Sequence, residues 1–407
     1  MSTSNKKTQL AVIFFTVFIY LLGFGIIIPI LPILSRDFGA TATQTGLLMS
    51  IYSLMQFLFA PFWGRLSDQK GRKPILLFCL LGEACSYVLF AFSRDLPTLF
   101  VARALAGFFG ASISTASAYI SDITPPNERS KGMALIGVAF GLGFVFGPAI
   151  GGFLTQWGSQ ISPEPFFNTS FAAICVGGIC LLTFIFGFFN LKESLSEINR
   201  NTERKNRFLI ITEKLKIPLV NQLIIIFFLI SFAMSSMEAT LILFMGERFS
   251  WGIKEVSYGF GFIGLVMIFS QGFLVRKLIP RWGEKKVLFL GLLCFSAGLG
   301  TISIAHNLTL MSVAMTLLAL GNGLSNPSVL GSISLLTGSQ EQGGTLGVTQ
   351  SLSSLGRILG PALGGLLYQS LSIISPFLFS SSLGFIALFI LINKFSKLPN
   401  KGKIHGA

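Results

Sequence analysis

Metal ligands are almost absent from this chain. Its 407 residues include two histidines, His306 and His405, far apart, and five cysteines at 79, 85, 175, 180 and 294 that are odd in number and never spaced C-x-x-C. That pattern argues against a zinc site or a disulfide framework, and leaves the cysteines as small packing residues. No G-x-x-x-x-G-K-[ST] string occurs, so nothing in the chain would cradle the phosphates of ATP. Charge is scarce as well: Asp, Glu, Lys and Arg together make up 11%. So little polar material cannot cover a folded surface in water, which argues against a soluble protein.

What the chain has is apolar length. Hydrophobic residues are 52% of it, 42 of them Phe, and they gather into twelve runs: 10–34, 46–63, 75–93, 98–121, 133–157, 166–190, 217–245, 256–275, 287–305, 308–337, 346–368 and 375–393. A helix rising about 1.5 Å per residue needs about twenty residues to cross a hydrocarbon core of about 30 Å. Twelve crossings are expected. The first run follows Lys6 and Lys7 as a signal peptide would, but it is too long and has no small-residue cleavage site, so it is expected to stay as a helix.

The few cations are placed asymmetrically. With both termini cytoplasmic, the inside segments hold 24 Lys/Arg and the outside loops only Arg36, Arg94, Arg248 and Lys254. This is the positive-inside pattern. The net charge of +14 is scattered over short loops between spans, so it calls for no nucleic-acid partner. One cytoplasmic loop, "GRLSDQKGRKP" at 64–74, holds more than topology requires, because it adds Asp68 and two glycines to the cations. Glycine allows a tight turn, and Asp with Arg can lock helix ends by charge-assisted hydrogen bonds.

The chain also repeats itself. "GPAIGG" at 147–152 recurs as "GPALGG" at 360–365, 213 positions on, and the same offset takes Glu128 to Glu341 and Gly143 to Gly356. Glycines at i, i+4 and i+8 (Gly143, Gly147, Gly151; Gly356, Gly360, Gly364) make a flat face for a second helix. Pro148 and Pro361 free backbone groups and bend the two helices. The 64–74 loop has a worn counterpart from Gly272, 208 positions on, where Arg276 stands in the place of Asp68. Residues 191–216, with seven basic and four acidic residues, read as a cytoplasmic linker. The expected architecture is all-α: a six-helix bundle over 1–190, the linker, a second six-helix bundle over 217–393, and a cytoplasmic tail over 394–407.

These stretches resemble the major facilitator superfamily. "GRLSDQKGRKP" is similar to its cytoplasmic loop motif, "RALAGFFGA" at 103–111 to its fourth-helix motif, and "GLGFVFGPAIGG" at 141–152 to the antiporter motif of its exporters. "GFGIIIPILP" at 23–32 is similar to the first helix of the twelve-helix drug and tetracycline exporters. The resemblance implies a cytoplasmic gate of Gly64, Asp68, Gly71, Arg72 and Lys73, with Asp122, Glu128 and Arg129 as partners. It also implies an antiporter motif of Gly143, Gly147, Pro148, Gly151 and Gly152, repeated at Gly360, Pro361 and Gly364. For Arg103, five residues into the fourth run, it implies a part in proton coupling; the alternative is an arginine snorkelling to the outer interface.

Glu238, near the middle of the seventh run, is the most informative single residue. In a two-half transporter the seventh helix lines the central path, so a mid-membrane acid there can carry a proton. Arg357 on the eleventh run is either its counter-ion or a contact for an anionic substrate group. Glu83 on the third run, which the resemblance places at the periphery, is a weaker candidate of the same kind as Glu238, and the preferred reading is a hydrogen bond to a neighbouring helix. Candidate cavity residues are Tyr20, Phe24, Phe140, Met234, Met237, Asn322 and Asn326, with packing as the alternative for each. Tetracycline exporters carry an acid on the first helix near the place of Tyr20, and this chain has none.

The expected protein is therefore a monomeric, multi-pass protein of a bacterial cell membrane that is not an enzyme and uses no cofactor or metal. It would export amphipathic, drug-like small molecules in exchange for protons. The alternatives are a carrier dedicated to one metabolite, siderophore or lipid, and a transporter-like sensor that moves nothing.

Overall fold

The computed structural model describes residues 3–124, 129–162, 169–195, 217–337 and 342–393. Among them every regular element is helical: α1 (Thr3–Asp37), α2 (Ala42–Lys70), α3 (Arg72–Ala91), α4 (Leu96–Gly110), α5 (Ile113–Ile123), α6 (Arg129–Ile161) and α7 (Thr169–Asn190). They are followed by α8 (Val220–Phe249), α9 (Ile253–Phe269), a π-helical turn (Ser270–Leu274), α10 (Val275–Ile304), α11 (Leu308–Leu336), α12 (Gln342–Ser370) and α13 (Ser375–Asn393). Only helices satisfy every backbone donor and acceptor within one segment, which is why so apolar a chain forms nothing else in lipid.

Nine helical stretches among the described residues are long and apolar enough to cross a membrane. One of them, Lys254–Ile304, has 51 residues and breaks at Gly283, so it provides two crossings. With α6 (33 residues) and α12 (29 residues), the architecture is that of the twelve-crossing major facilitator fold. Large side chains stay outward along the spans: Phe189 is 78% exposed, and Leu182 and Phe389 67% each. In water such a surface would aggregate; in hydrocarbon it is solvated.

The chain groups into two compact units. The first is 1–41, 48–204 and 252–258; the second is 42–47, 205–251 and 259–407. In the first, α1 packs on α6, α3 on α7, and α3 on α4. In the second, α8 packs on α12, α10 on α13, and α10 on α11. The two sets of neighbours are the same set read one repeat apart.

Each unit has one irregular crossing. The fourth crossing is split between α4 and α5, and the loosened carbonyls are taken up by α2: Gln56 Nε2 donates to the Gly110 carbonyl (3.1 Å) and Trp63 Nε1 to that of Phe108 (2.7 Å). The eighth crossing contains the π turn, where Gly323 of α11 comes so close that a Cβ on it would sit 2.7 Å from Ser270 Oγ.

The repeat register needs a correction. Gly71 (φ 101°, ψ 153°) and Gly283 (φ 79°, ψ 159°) adopt the same positive-φ turn 212 positions apart. The counterpart of Asp68 is therefore Pro280, not Arg276, and Arg72 corresponds to Glu284. Cations recur in both loops for topological reasons and suggest a false register. A left-handed turn that admits only glycine is a better marker.

Candidate functional site

The candidate gate residues gather at the turn at Gly71. Arg72, 5% exposed, pairs with Asp68 one turn back on α2, donates from Nε to Asp122 Oδ2 on α5 (3.1 Å), and donates from Nη1 to Ser67 Oγ (2.7 Å). One guanidinium thus ties α2, α3 and α5 together, which suits its planar fork of donors. Lys73 lies outside this network: its Nζ donates to the Phe188 carbonyl (2.8 Å) and sits 5.6 Å over the Phe188 ring. Gly64 is buried on α2, with its carbonyl accepting from Ser67 Oγ (2.8 Å). Glu128 and the side chain of Arg129 lie outside the described residues.

One residue of this cluster was not foreseen. Glu193, just past α7, accepts the backbone N–H groups of Arg72 (2.8 Å) and Lys73 (3.1 Å) and, on its own strand, those of Ser194 (2.9 Å) and Leu195 (3.0 Å). It satisfies the open N–H groups at the start of α3 and holds the backbone from which Arg72 projects. Gly71 is needed beneath it, since a Cβ there would meet Glu193 Oε2 at 2.5 Å. Tyr119 Oη, donating to the Lys192 carbonyl (2.7 Å), and Gln9 Nε2, donating to that of Asn190 (3.0 Å), anchor the same strand. The signal was an acid directly after an apolar run, in a segment read only as linker.

The two glycine faces do the same work in each unit. A Cβ on Gly143 would fall 2.8 Å from Leu21, one on Gly147 2.5 Å from Gly25 Cα, and one on Gly151 2.5 Å from the Ile26 carbonyl, so α6 lies backbone to backbone on α1. In the second unit Gly356, Gly360 and Gly364 bring α12 equally close to Phe232, Ser235 and Ser236 of α8. Gly152 lies against Ser257, in the first turn of α9, which groups with the first unit. Pro148 and Pro361 stand inside their helices, each directly after the middle glycine of its face.

Four ionisable groups lie at membrane depth among the described residues. Glu238 of α8 is 7% exposed, has Arg357 of α12 as its charged neighbour, and accepts no hydrogen bond among the described residues. Arg357 donates instead to Ser353 (3.0 Å) and Ser354 (2.9 Å) of its own helix, and Ser353 shares a hydrogen bond with Ser231 of α8 (2.8 Å). The acid and the base face each other across a joint held by serines. Arg103 does not snorkel: it is 2% exposed, with its guanidinium 4.7 Å over the ring of Tyr52. Glu83 corrects the expectation made for it. It is fully buried, yet neither carboxyl oxygen has a hydrogen-bond partner, because the groups around it are rings, thiols and one arginine rather than amides or hydroxyls in register.

The cavity candidates divide. Tyr20 (1% exposed) and Met237 (0%) are buried, and Asn322 (6%) is engaged by Asn326, whose Nδ2 donates to its Oδ1 (2.9 Å). Phe24, stacked on Tyr52 at 4.8 Å, Met234 and Asn326 keep partial exposure. The side chain of Phe140 lies outside the described residues.

Known proteins resemble this chain in sequence and fold. The family description "Major Facilitator Superfamily" matches residues 13–283 and 272–405. Tetracycline resistance protein, class B, of Escherichia coli is 31% identical over 398 residues, covering 96% of this chain and 95% of that one. Multidrug resistance protein 2 of Bacillus subtilis (strain 168) is 31% identical over 399 residues, covering 95% and 94%. The crystal structure of the human organic anion transporter MFSD10 (TETRAN) superposes with a TM-score of 0.71 at 25% identity, over 96% of this chain and 100% of that chain. A family description running almost end to end, with relatives above 30% identity over nearly their whole length, leaves one assignment: this chain belongs to the Major Facilitator Superfamily.

Proposed function

We propose that the protein exports amphipathic, drug-like small molecules across a bacterial cell membrane in exchange for protons, by alternating access. The observation that carries this reading is Glu238: a carboxyl at the centre of a transmembrane helix, nearly without exposure, with Arg357 as its charged neighbour. Charge on a carboxyl so deeply buried is costly, so a change in its surroundings can make it take up or release a proton. A proton from outside forms the O–H bond on Glu238, substrate leaves, and the proton is released once the site opens inward.

The relatives named above support export of drugs, and they divide into tetracycline and multidrug types. The buried Tyr20, on an α1 that has no acid within the membrane, favours the multidrug type, since a metal-chelated tetracycline would find no carboxylate there. Ethidium and tetracycline flux in proteoliposomes under an imposed pH gradient tests the reading. Ethidium export driven by the gradient and lost in Glu238→Gln, with ethidium binding retained, is the expected result. Unchanged proton-driven flux in that variant would rule Glu238 out as the carrier, and binding without flux of either compound would favour a sensor.

A further inference from the structure

The first unit contains a second buried carboxyl that the exchange scheme above leaves unused. Glu83 of α3 has no exposed surface, and both of its oxygens lack a hydrogen-bond partner. Arg103 of α4 is the charged group that acts on it. Nε and Nη1 of that arginine are unpartnered too, although it is almost as deeply buried. The other titratable groups facing Glu83 are Tyr20 of α1, Cys79 and Tyr87 of α3 and Cys180 of α7. None of them carries a charge at neutral pH.

Two opposite charges in apolar surroundings close on each other when both are ionised, because bare ions there are costly and their attraction is strong. These two stay apart. The guanidinium lies instead on aromatic rings, 4.7 Å from the centre of Tyr52 and 5.9 Å from that of Phe24. That seat is fixed by backbone packing: a Cβ on Gly107 would fall 2.3 Å from the Tyr52 carbonyl, so α4 is pressed onto α2 one turn from Arg103. Gly23 of α1 leaves room in the same way for the Tyr87 phenol, whose oxygen is also without a partner. The arginine thus has two seats, a ring stack it occupies and a carboxyl it does not.

We propose that Glu83 is a second proton-carrying site, complete within the first unit, and that Arg103 alternates between the Tyr52 ring and the Glu83 carboxylate as the proton leaves and returns. When Glu83 gives its proton to water, the O–H bond breaks, the electron pair stays on the carboxylate oxygen, and Arg103 swings off the ring to donate to it. When water delivers a proton, the O–H bond re-forms and Arg103 returns to the ring. The site does not depend on the role of Glu238, and the two can fail separately.

Infrared difference spectra of the full-length protein in lipid nanodiscs, taken between about pH 5 and about pH 9, read both groups through the C=O stretch of protonated carboxyls. Glu83→Gln is expected to remove one buried-carboxyl band and Glu238→Gln another, with about one proton fewer released per protein in each variant. Arg103→Lys is expected to move the midpoint of the Glu83 band alone, since a lysine cannot share the ring stack and the carboxyl in the same way. A Glu83→Gln difference spectrum that superposes on the wild type overturns the proposal, and a spectrum unchanged in Glu238→Gln overturns only the reading of that residue. Should Glu83→Gln not fold, Glu83→Asp serves: its band moves if position 83 titrates, and an unmoved band overturns the proposal.

Discussion

Two turns, at Gly71 and Gly283, have one backbone and opposite chemistry. Each follows a crossing, each needs positive φ, and each is followed by a long helix packed on the next in the same way. After Gly71 the chain places Arg72 among Asp68, Asp122 and Glu193; after Gly283 it places Glu284 among Arg281, Lys285 and Lys286. Duplication has kept what backbone sterics dictate and let the charges diverge. Glycine at a left-handed turn, or under a crossing helix, has no substitute, whereas a charge can change sign whenever its partners change with it. The first unit has an ion-pair cluster at its turn; the second keeps the turn's backbone.

The largest effect should therefore come from Arg72. Arg72→Leu leaves Asp68, Asp122 and Ser67 facing an apolar side chain and is expected to lower gradient-driven flux by about tenfold or more, as removal of one partner from a buried charge network does. Glu284→Gln, at the matching place in the second unit, is expected to stay within about twofold of wild type, as a partly exposed charge does. Comparable losses in the two variants would mean that both turns are locks.

The glycine faces come next, and here the two units should behave alike. Gly147→Ala and Gly360→Ala each force a backbone apart, at a cost of about 1–3 kcal/mol, and should lower the melting temperature in detergent by similar amounts. Gly178→Ala, with nothing within 4 Å of its Cβ, is the control and should melt as wild type does. Glu193→Ala should act more weakly, on flux rather than on melting. Glu193→Asp, which keeps the acceptors for the start of α3 in part, should recover some of that flux.

The fold was legible in the sequence because hydrocarbon thickness sets run length and cation placement sets direction. The glycine repeat was legible because i, i+4, i+8 spacing has one steric meaning. Less legible was anything decided by which face of a helix looks inward. Met237 and Tyr20 read by depth as cavity or packing residues, and both are buried; in helices so apolar, the sequence pattern alone does not separate the two. Glu83 was placed at the periphery and given a partner for the same reason. Glu193 escaped notice because a carboxylate that accepts backbone N–H groups leaves no pairing signature in the side chains around it.

The smallest effect separates the units by pH. Asp95 and Asn307, also 212 positions apart, are the N-caps of α4 and α11, accepting the backbone N–H of Thr98 (2.7 Å) and Leu310 (2.8 Å). The cap is the same, and only Asp95 is charged. The Thr98 backbone N–H, with its hydroxyl adding to it, holds the Asp95 carboxyl below the usual carboxylate range. A group whose folded value is depressed contributes stability above its unfolded value and loses it as the pH falls through the folded one. Asp95→Ala should accordingly lower the melting temperature slightly near neutral pH, with the difference vanishing under acid. Asn307→Ala should cost the same at every pH, because an amide does not titrate. Asn307→Asp should then import the pH dependence into the second unit. If its melting temperature follows that of wild type across the acid range, the charge on the cap contributes nothing, and the two units differ only at the gate.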